Sequence, residues 1–113
     1  MLRGEIYEAD LNPVIRSEQG HIRPVLIVSR DAINKASSVV LAAPFTGAEN
    51  CPRIYPSQVL VRAGNAGLKK DSVLMTEQVR AISKKRLTKY LGTLSPGLMA
   101  QVAACLKIAL DLP

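Results

Sequence analysis

Two kinds of hydrophobic spacing run along this chain, one alternating with polar residues and one continuous. Glu5-Ile6-Tyr7-Glu8-Ala9-Asp10-Leu11 alternates polar with largely apolar residues, as a half-buried strand does, and Asn12-Pro13 ends it. Val25-Leu26-Ile27-Val28 is a continuous aliphatic run, which predicts a buried strand entered from a loop through Arg23 and Pro24. Pro24 suits the first position of that strand, where a missing N–H does least harm. Val39-Val40-Leu41-Ala42-Ala43 is a second continuous run, closed by Pro44-Phe45-Thr46. Being sequential, the two runs are expected to pair antiparallel. Setting Val28 against Leu41 or Val40 then brings Arg23 opposite the region of Thr46, so a cation and a hydroxyl share one end of the sheet.

Later in the chain the alternation returns. Gln58–Val61 predicts a short strand and Ala63–Gly67 a turn. Ser72–Ile82 puts Val73, Met75, Glu77, Val79 and Ala81 on one face, and Leu74, Thr76, Gln78, Arg80 and Ile82 on the other. The second row would set Thr76, Gln78 and Arg80 side by side as the floor of a polar groove. Glu77, in an apolar row, predicts either a bulge or a neighbouring cation. A helical turn is expected at Asp31–Lys35, and a single turn capped by Ser83 at Lys84–Leu87. A strand is expected at Tyr90–Leu94. Ser95-Pro96 opens a C-terminal helix, serine as N-cap and proline at the first helical position. The apolar arc of that helix, from Leu98, Val102, Cys105 and Ala109 to Met99, Ala103, Leu106 and Leu110, exceeds the roughly 100° stripe that covers one core. The excess suits a second subunit, or a small barrel wrapping further round the helix. Five or six short strands and one terminal helix make a mainly β fold, a small curled antiparallel sheet or barrel, in a single domain spanning residues 1–113.

Charge changes this picture more than composition does. The net charge is +6, and residues 51–113 carry ten Lys/Arg against three Asp/Glu, whereas residues 1–50 carry five against six. A basic half on a small domain points to a polyanionic partner, nucleic acid or an acidic peptide, or else to a solvated surface kept for solubility. No apolar run reaches about 18 residues, so no membrane span is expected. The N-terminus, with Glu5, Glu8 and Asp10, has no apolar stretch of a secretory signal. Cys51 and Cys105 stand alone, which argues against a zinc site and suits a reducing cytoplasm. With a single histidine, His21, one chain cannot supply a two-imidazole acid–base pair. The long segments Val14–Ile22 and Gly47–Ser57 are candidate binding loops.

RGEIYEADL (Arg3–Leu11), NPVIRSEQGHIRPVLIVS (Asn12–Ser29), APFT (Ala43–Thr46), GLKKDSVLMTEQVRAISKKRL (Gly67–Leu87) and LGTLSPGLMAQV (Leu91–Val102) resemble successive blocks of the MazF/PemK (Kid-like) toxin family. The match is collinear and covers nearly the whole chain, drifting around 30–38 and 47–57. The EQxxxRPVLIV and DSVxxxEQxRxI blocks are specific together and weak singly. The resemblance implies an SH3-like (plasmid-toxin CcdB/Kid-type) antiparallel barrel with a C-terminal α-helix, forming a homodimer. It further implies a cytoplasmic, metal-independent endoribonuclease (an mRNA interferase) of a type II toxin–antitoxin pair, without a cofactor and neutralised by an acidic MazE-like antitoxin. Such enzymes cut single-stranded RNA at short motifs, using the substrate's 2′-hydroxyl as nucleophile and leaving a 2′,3′-cyclic phosphate and a 5′-hydroxyl.

That chemistry needs a proton acceptor, charge stabilisation at phosphorus and a donor to the leaving 5′-oxygen. Arg23 matches the family's catalytic arginine and could clamp nonbridging oxygens with its planar fork. Thr46 matches the family's hydroxyl residue after the third strand. Glu18 is the candidate base, being acceptor-only in the loop that leads to Arg23, although a loop-fixing carboxylate explains it equally. Some relatives carry His where this chain has Ser17, and Arg where it has Met75, so those roles do not transfer. His21 stands where relatives often have glycine and reads as an exposed loop residue. For RNA binding, Tyr55 is the candidate stacking platform. Gln19 and Gln78 are candidate readers of base edges, with Ser17, Thr76 and Arg80 alongside. Two other readings remain. One is a gyrase-poisoning relative of CcdB, disfavoured by the absence of tryptophan. The other is a non-catalytic SH3-like binding module.

Overall fold

Alternating and continuous patterns become strands for different reasons. The structure is a computed structural model, described over residues 1–11 and 21–113. Its elements are β1 (Glu5–Asp10), β2 (Ile22–Ile27), α1 (Asp31–Ala36), β3 (Val39–Gly47), β4 (Gln58–Val61), β5 (Ser72–Met75), β6 (Arg80–Ser83), β7 (Leu87–Thr93) and α2 (Pro96–Leu110). Among the described residues, seven strands pair antiparallel in the order β4-β5-β3-β2-β1-β7, with β6 also on β3. That is one or two strands more than the sequence predicts, and the pairing path is open rather than closed.

Two hydrophobic clusters explain the continuous runs. Ile6, Leu26, Ala43, Phe45, Leu74 and Val102 belong to one cluster, beneath α2. Ala9, Val25, Ile27, Val40, Ala42 and Ile82 belong to the other. Alternate residues of β2 and β3 therefore enter opposite cores, and both strands are apolar on both faces because both faces are covered. Each fully buried Leu, Ile or Phe in these clusters stabilises the fold by about 1.5–3 kcal/mol relative to exposure.

The β2–β3 register is the expected one. Val25 pairs with Pro44, Leu26 with Ala43 and Ile27 with Ala42, and the Val28 amide donates to the Leu41 carbonyl at 2.9 Å. Both prolines sit inside strands, however, where the sequence reading had them at strand ends. Pro24 is the third residue of β2, opposite Glu8. Amides of β2 that share the side of Val28 point to β3, and Pro24 falls just past the last β2–β3 pair, where no ladder bond is lost. Pro44 lies between the last pair with β6, Ala42–Arg80, and the first with β5, Phe45–Leu74, so β3 changes partner at the residue that has no donor.

The largest departure concerns Ser72–Ile82. A 3-10 turn, Thr76–Gln78, interrupts it and separates β5 from β6. The polar row Thr76-Gln78-Arg80 is therefore not formed. Thr76 is fully buried, its hydroxyl donating to the Ser57 carbonyl at 2.5 Å and to the Cys105 carbonyl at 3.3 Å. This removes Thr76 from any RNA-facing surface. Glu77 is turned outward by the same turn and accepts from Ser57 Oγ at 3.0 Å and Gln58 Nε2 at 2.8 Å, so it needs neither a bulge nor a cation. The strand expected at Tyr90–Leu94 begins earlier, as β7 from Leu87 to Thr93, because the turn before it is one residue shorter than expected. Ser83 caps the turn Lys84–Arg86, and the Leu98 amide donates to Ser95 Oγ at 3.2 Å at the start of α2. Among the described residues no helix is long and apolar enough to cross a membrane.

Candidate functional site

Arg23 stands on the second residue of β2, Cα-paired with Ala9 of β1. Just before it, the Leu11 amide donates to the His21 carbonyl at 2.9 Å. His21 has φ 62°, in the left-handed region that favours glycine. Ser17, Glu18 and Gln19 lie outside the described residues.

A cavity of about 560 Å³ opens beside Arg23. Glu8, Ile22 and Pro24 form one wall, Phe45, Gly47 and Asn50 another, and Gly67 to Lys70 with Ser72 and Leu91 the third. Among the described residues, three that line it are cations, Arg23, Lys69 and Lys70, against one carboxylate, Glu8. Thr46, flanked by Phe45 and Gly47 on β3, is buried and accepts from Asn50 Nδ2 at 3.3 Å. Continuing the β2–β3 register by two residues would bring Arg23 across from Thr46, although the ladder itself ends at Val25–Pro44. Asn50 is thus the side chain that links the Thr46 hydroxyl to the cavity wall.

Gly67 makes the third wall possible. Its φ is 79°, and a Cβ there would overlap the carbonyl of Leu91 in β7. The turn carrying Lys69 and Lys70 is pressed against β7 in a way that only glycine permits. Sequence reasoning missed Lys69, Lys70, Asn50 and Glu8. The Lys-Lys pair beside a glycine was a visible signal, but nothing in the spacing says that this turn folds back towards Arg23.

Other predicted site residues fall elsewhere. Tyr55 is exposed, with the Arg53 guanidinium 5.2 Å from its ring centroid, and it lines a separate shallow groove with Ser57, Glu77, Ile108 and Ala109. Gln78 is half-buried, its amide 3.8 Å from Met75 Sδ. Arg80 is half-buried on β6, opposite Ala42.

Electrostatics divide along the same lines. The Lys70 ammonium, bonded at 2.8 Å, and then its own backbone amide hold the Glu49 carboxyl below its ordinary range. The Ala63 amide, with Arg62 second, does the same for Asp71. Burial pushes the Cys105 thiol up, and burial followed by Glu5 raises the Tyr7 phenol. Among the described residues, no three His, Cys, Asp or Glu side chains come together as a metal site. An arginine fork, two lysines and an amide-linked hydroxyl around one opening can hold a phosphodiester and neutralise charge on it.

Residues 2–110 match the family described as PemK-like, MazF-like toxin of type II toxin–antitoxin system. The chain belongs to this family. Solved structures of similar fold run the length of this PemK/MazF-family chain. An endoribonuclease from a mycobacterial species, in complex with its cognate antitoxin, superposes with TM-score 0.81 at 27% identity, covering 100% of this chain and 97% of its own. The Mycobacterium tuberculosis toxin MazF-mt6 gives 0.80 at 27% identity, with 96% and 98% covered. MazF from Deinococcus radiodurans gives 0.83 at 24% identity, with 99% and 97% covered, a likeness of fold.

Proposed function

We propose that this PemK/MazF-family toxin is an endoribonuclease that cleaves single-stranded RNA within the cavity beside Arg23. The observation that carries the reading is the cationic opening formed by Arg23, Lys69 and Lys70 beside the buried Thr46 hydroxyl and its exposed partner Asn50. It is joined by the similarity to structures named as endoribonucleases.

In the proposed reaction the substrate 2′-oxygen attacks the adjacent phosphorus and the bond from phosphorus to the 5′-oxygen breaks. The 2′-hydroxyl proton passes to a base, for which Glu18 is the candidate, and a proton is delivered to the departing 5′-oxygen. Arg23 clamps the nonbridging oxygens in a bidentate fork. Lys69 and Lys70 hold flanking phosphates as point charges. Thr46 and Asn50 donate hydrogen bonds to the scissile group. Ser17, Gln19, Gln78 and Arg80 contact the strand on either side, and Tyr55 stacks a base. The products are a 2′,3′-cyclic phosphate and a 5′-hydroxyl, with no metal taking part. The test is cleavage of a long RNA in excess EDTA, followed by direct labelling of the new ends with polynucleotide kinase. Activity lost in chelator and restored by magnesium would sink the metal-free route.

The chain acts as a cytoplasmic homodimer, and an acidic MazE-like antitoxin occupies the RNA groove, its carboxylates replacing phosphates at Arg23 and the lysines. RNA and antitoxin then exclude one another. A competition titration checks this with RNA lacking the 2′-hydroxyl. RNA affinity left unchanged at saturating antitoxin would make the inhibition allosteric.

A further inference from the structure

One ion pair sits at the edge of the cavity with a geometry that the proposed reaction does not use. Lys70, which lines the opening, donates from Nζ to Glu49 Oε1 at 2.8 Å, and both side chains are exposed. The Glu49 carboxylate folds back over the Cα of Gly47, where a Cβ would overlap both of its oxygens. Gly47 has φ −63°, a backbone any residue can adopt, so its missing side chain provides room for the carboxylate rather than a turn. The segments that carry the pair are fixed to each other. Gly47 pairs with Ser72, and the Ala48 amide donates to the Asp71 carbonyl at 2.9 Å.

We propose that Glu49 is an internal anion that occupies the phosphate position at Lys70 and is displaced when RNA enters, so that it sets how tightly this chain holds its substrate. It presupposes that the cavity holds RNA, as proposed above. A carboxylate oxygen on Lys70 Nζ makes the contact a nonbridging phosphate oxygen would make, on a cation at the cavity wall. The pair is exposed and screened by salt, so an incoming phosphodiester held also by Arg23 can replace it. Glu49, like any carboxyl with a cation beside it, is an anion at neutral pH. Wild-type protein thus releases a carboxylate from Lys70 before it gains a phosphate there.

The test is fluorescence anisotropy of a short random-sequence 2′-O-methyl RNA, which cannot be cleaved, across a salt series. The proteins are wild type, Glu49→Gln, Lys70→Gln, the double variant and Arg23→Gln. Glu49→Gln is expected to bind about 3- to 5-fold more tightly than wild type. The same change in the Lys70→Gln background is expected to alter affinity by less than about 1.5-fold, because no site remains to be vacated. Equal tightening in both backgrounds would show that Glu49 acts as a general repulsive charge, and no tightening would show that it does not compete. Either result overturns the displacement. Failure of wild type to bind, or binding unchanged in Arg23→Gln, removes the cavity as the RNA site and the role of Glu49 with it. Weakening by Arg23→Gln without an effect of Glu49→Gln leaves the site standing and overturns only the internal anion.

Discussion

Arg23 is where sequence and structure meet most closely. A lone arginine before an apolar run sets a cation on the rim of a rigid strand, and β2 delivers it to the cavity wall. Its planar fork and fixed charge are what lysine lacks. Arg23→Lys should lower turnover about 10²-fold while leaving the melting temperature unchanged. Full activity in the folded variant would take Arg23 out of the reacting centre. Thr76 shows the opposite case. On paper it shares a face with Gln78 and Arg80, yet it is buried beneath α2 with its hydroxyl on two carbonyls. Period-two counting assumes an unbroken strand, and a three-residue 3-10 turn built from ordinary polar residues carries no glycine or proline to announce itself.

At the scale of elements, legibility followed burial. β2 and β3 were readable because both of their faces are covered, and the register between them followed from two runs of similar length. The cavity's third wall was not readable, because it depends on a turn packing against a strand more than twenty residues later in the chain. Gly67 is the residue that permits this. Alanine there combines a strained left-handed backbone, about 1–2 kcal/mol, with a clash against the Leu91 carbonyl. Gly67→Ala should therefore destabilise the protein by about 2 kcal/mol or more, visible as a melting temperature lower by roughly 8 °C. An unchanged transition would mean that the turn is free to move away from β7. Should the turn shift rather than the fold fail, Lys69 and Lys70 move with it, and RNA binding falls more than stability.

For the whole molecule, the C-terminal helix raises the question of what covers it. Only Val102 and Cys105 of α2 are buried, whereas Ile108, Leu110 and the following Leu112 are each more than half exposed. Of the wide apolar arc, Leu98, Met99 and Leu106 pack half-buried against the core and Leu110 stays exposed. The protein's own core thus takes up most of the arc and leaves an apolar helix end, Ile108, Leu110 and Leu112, that a second subunit is expected to cover. Sedimentation at low micromolar concentration should give a species of about twice 12.2 kDa, and replacing Ile108 and Leu110 together by glutamate should return it to one. A wild-type protein that sediments only as the smaller species would leave the exposed helix end to a different partner.

The change of partner along β3 has a further meaning for how this molecule comes apart. One strand holds β2 on one edge and both β6 and β5 on the other, and its side chains enter both cores in turn. Neither core can loosen alone, because opening either one releases the strand that organises the other. The described strands are therefore expected to open together, seen as a common exchange rate for the amides of β2, β3 and β5. For the described strands, loss of the fold is then expected to run through one shared barrier, which would set the longevity of the toxin more than its weakest layer does.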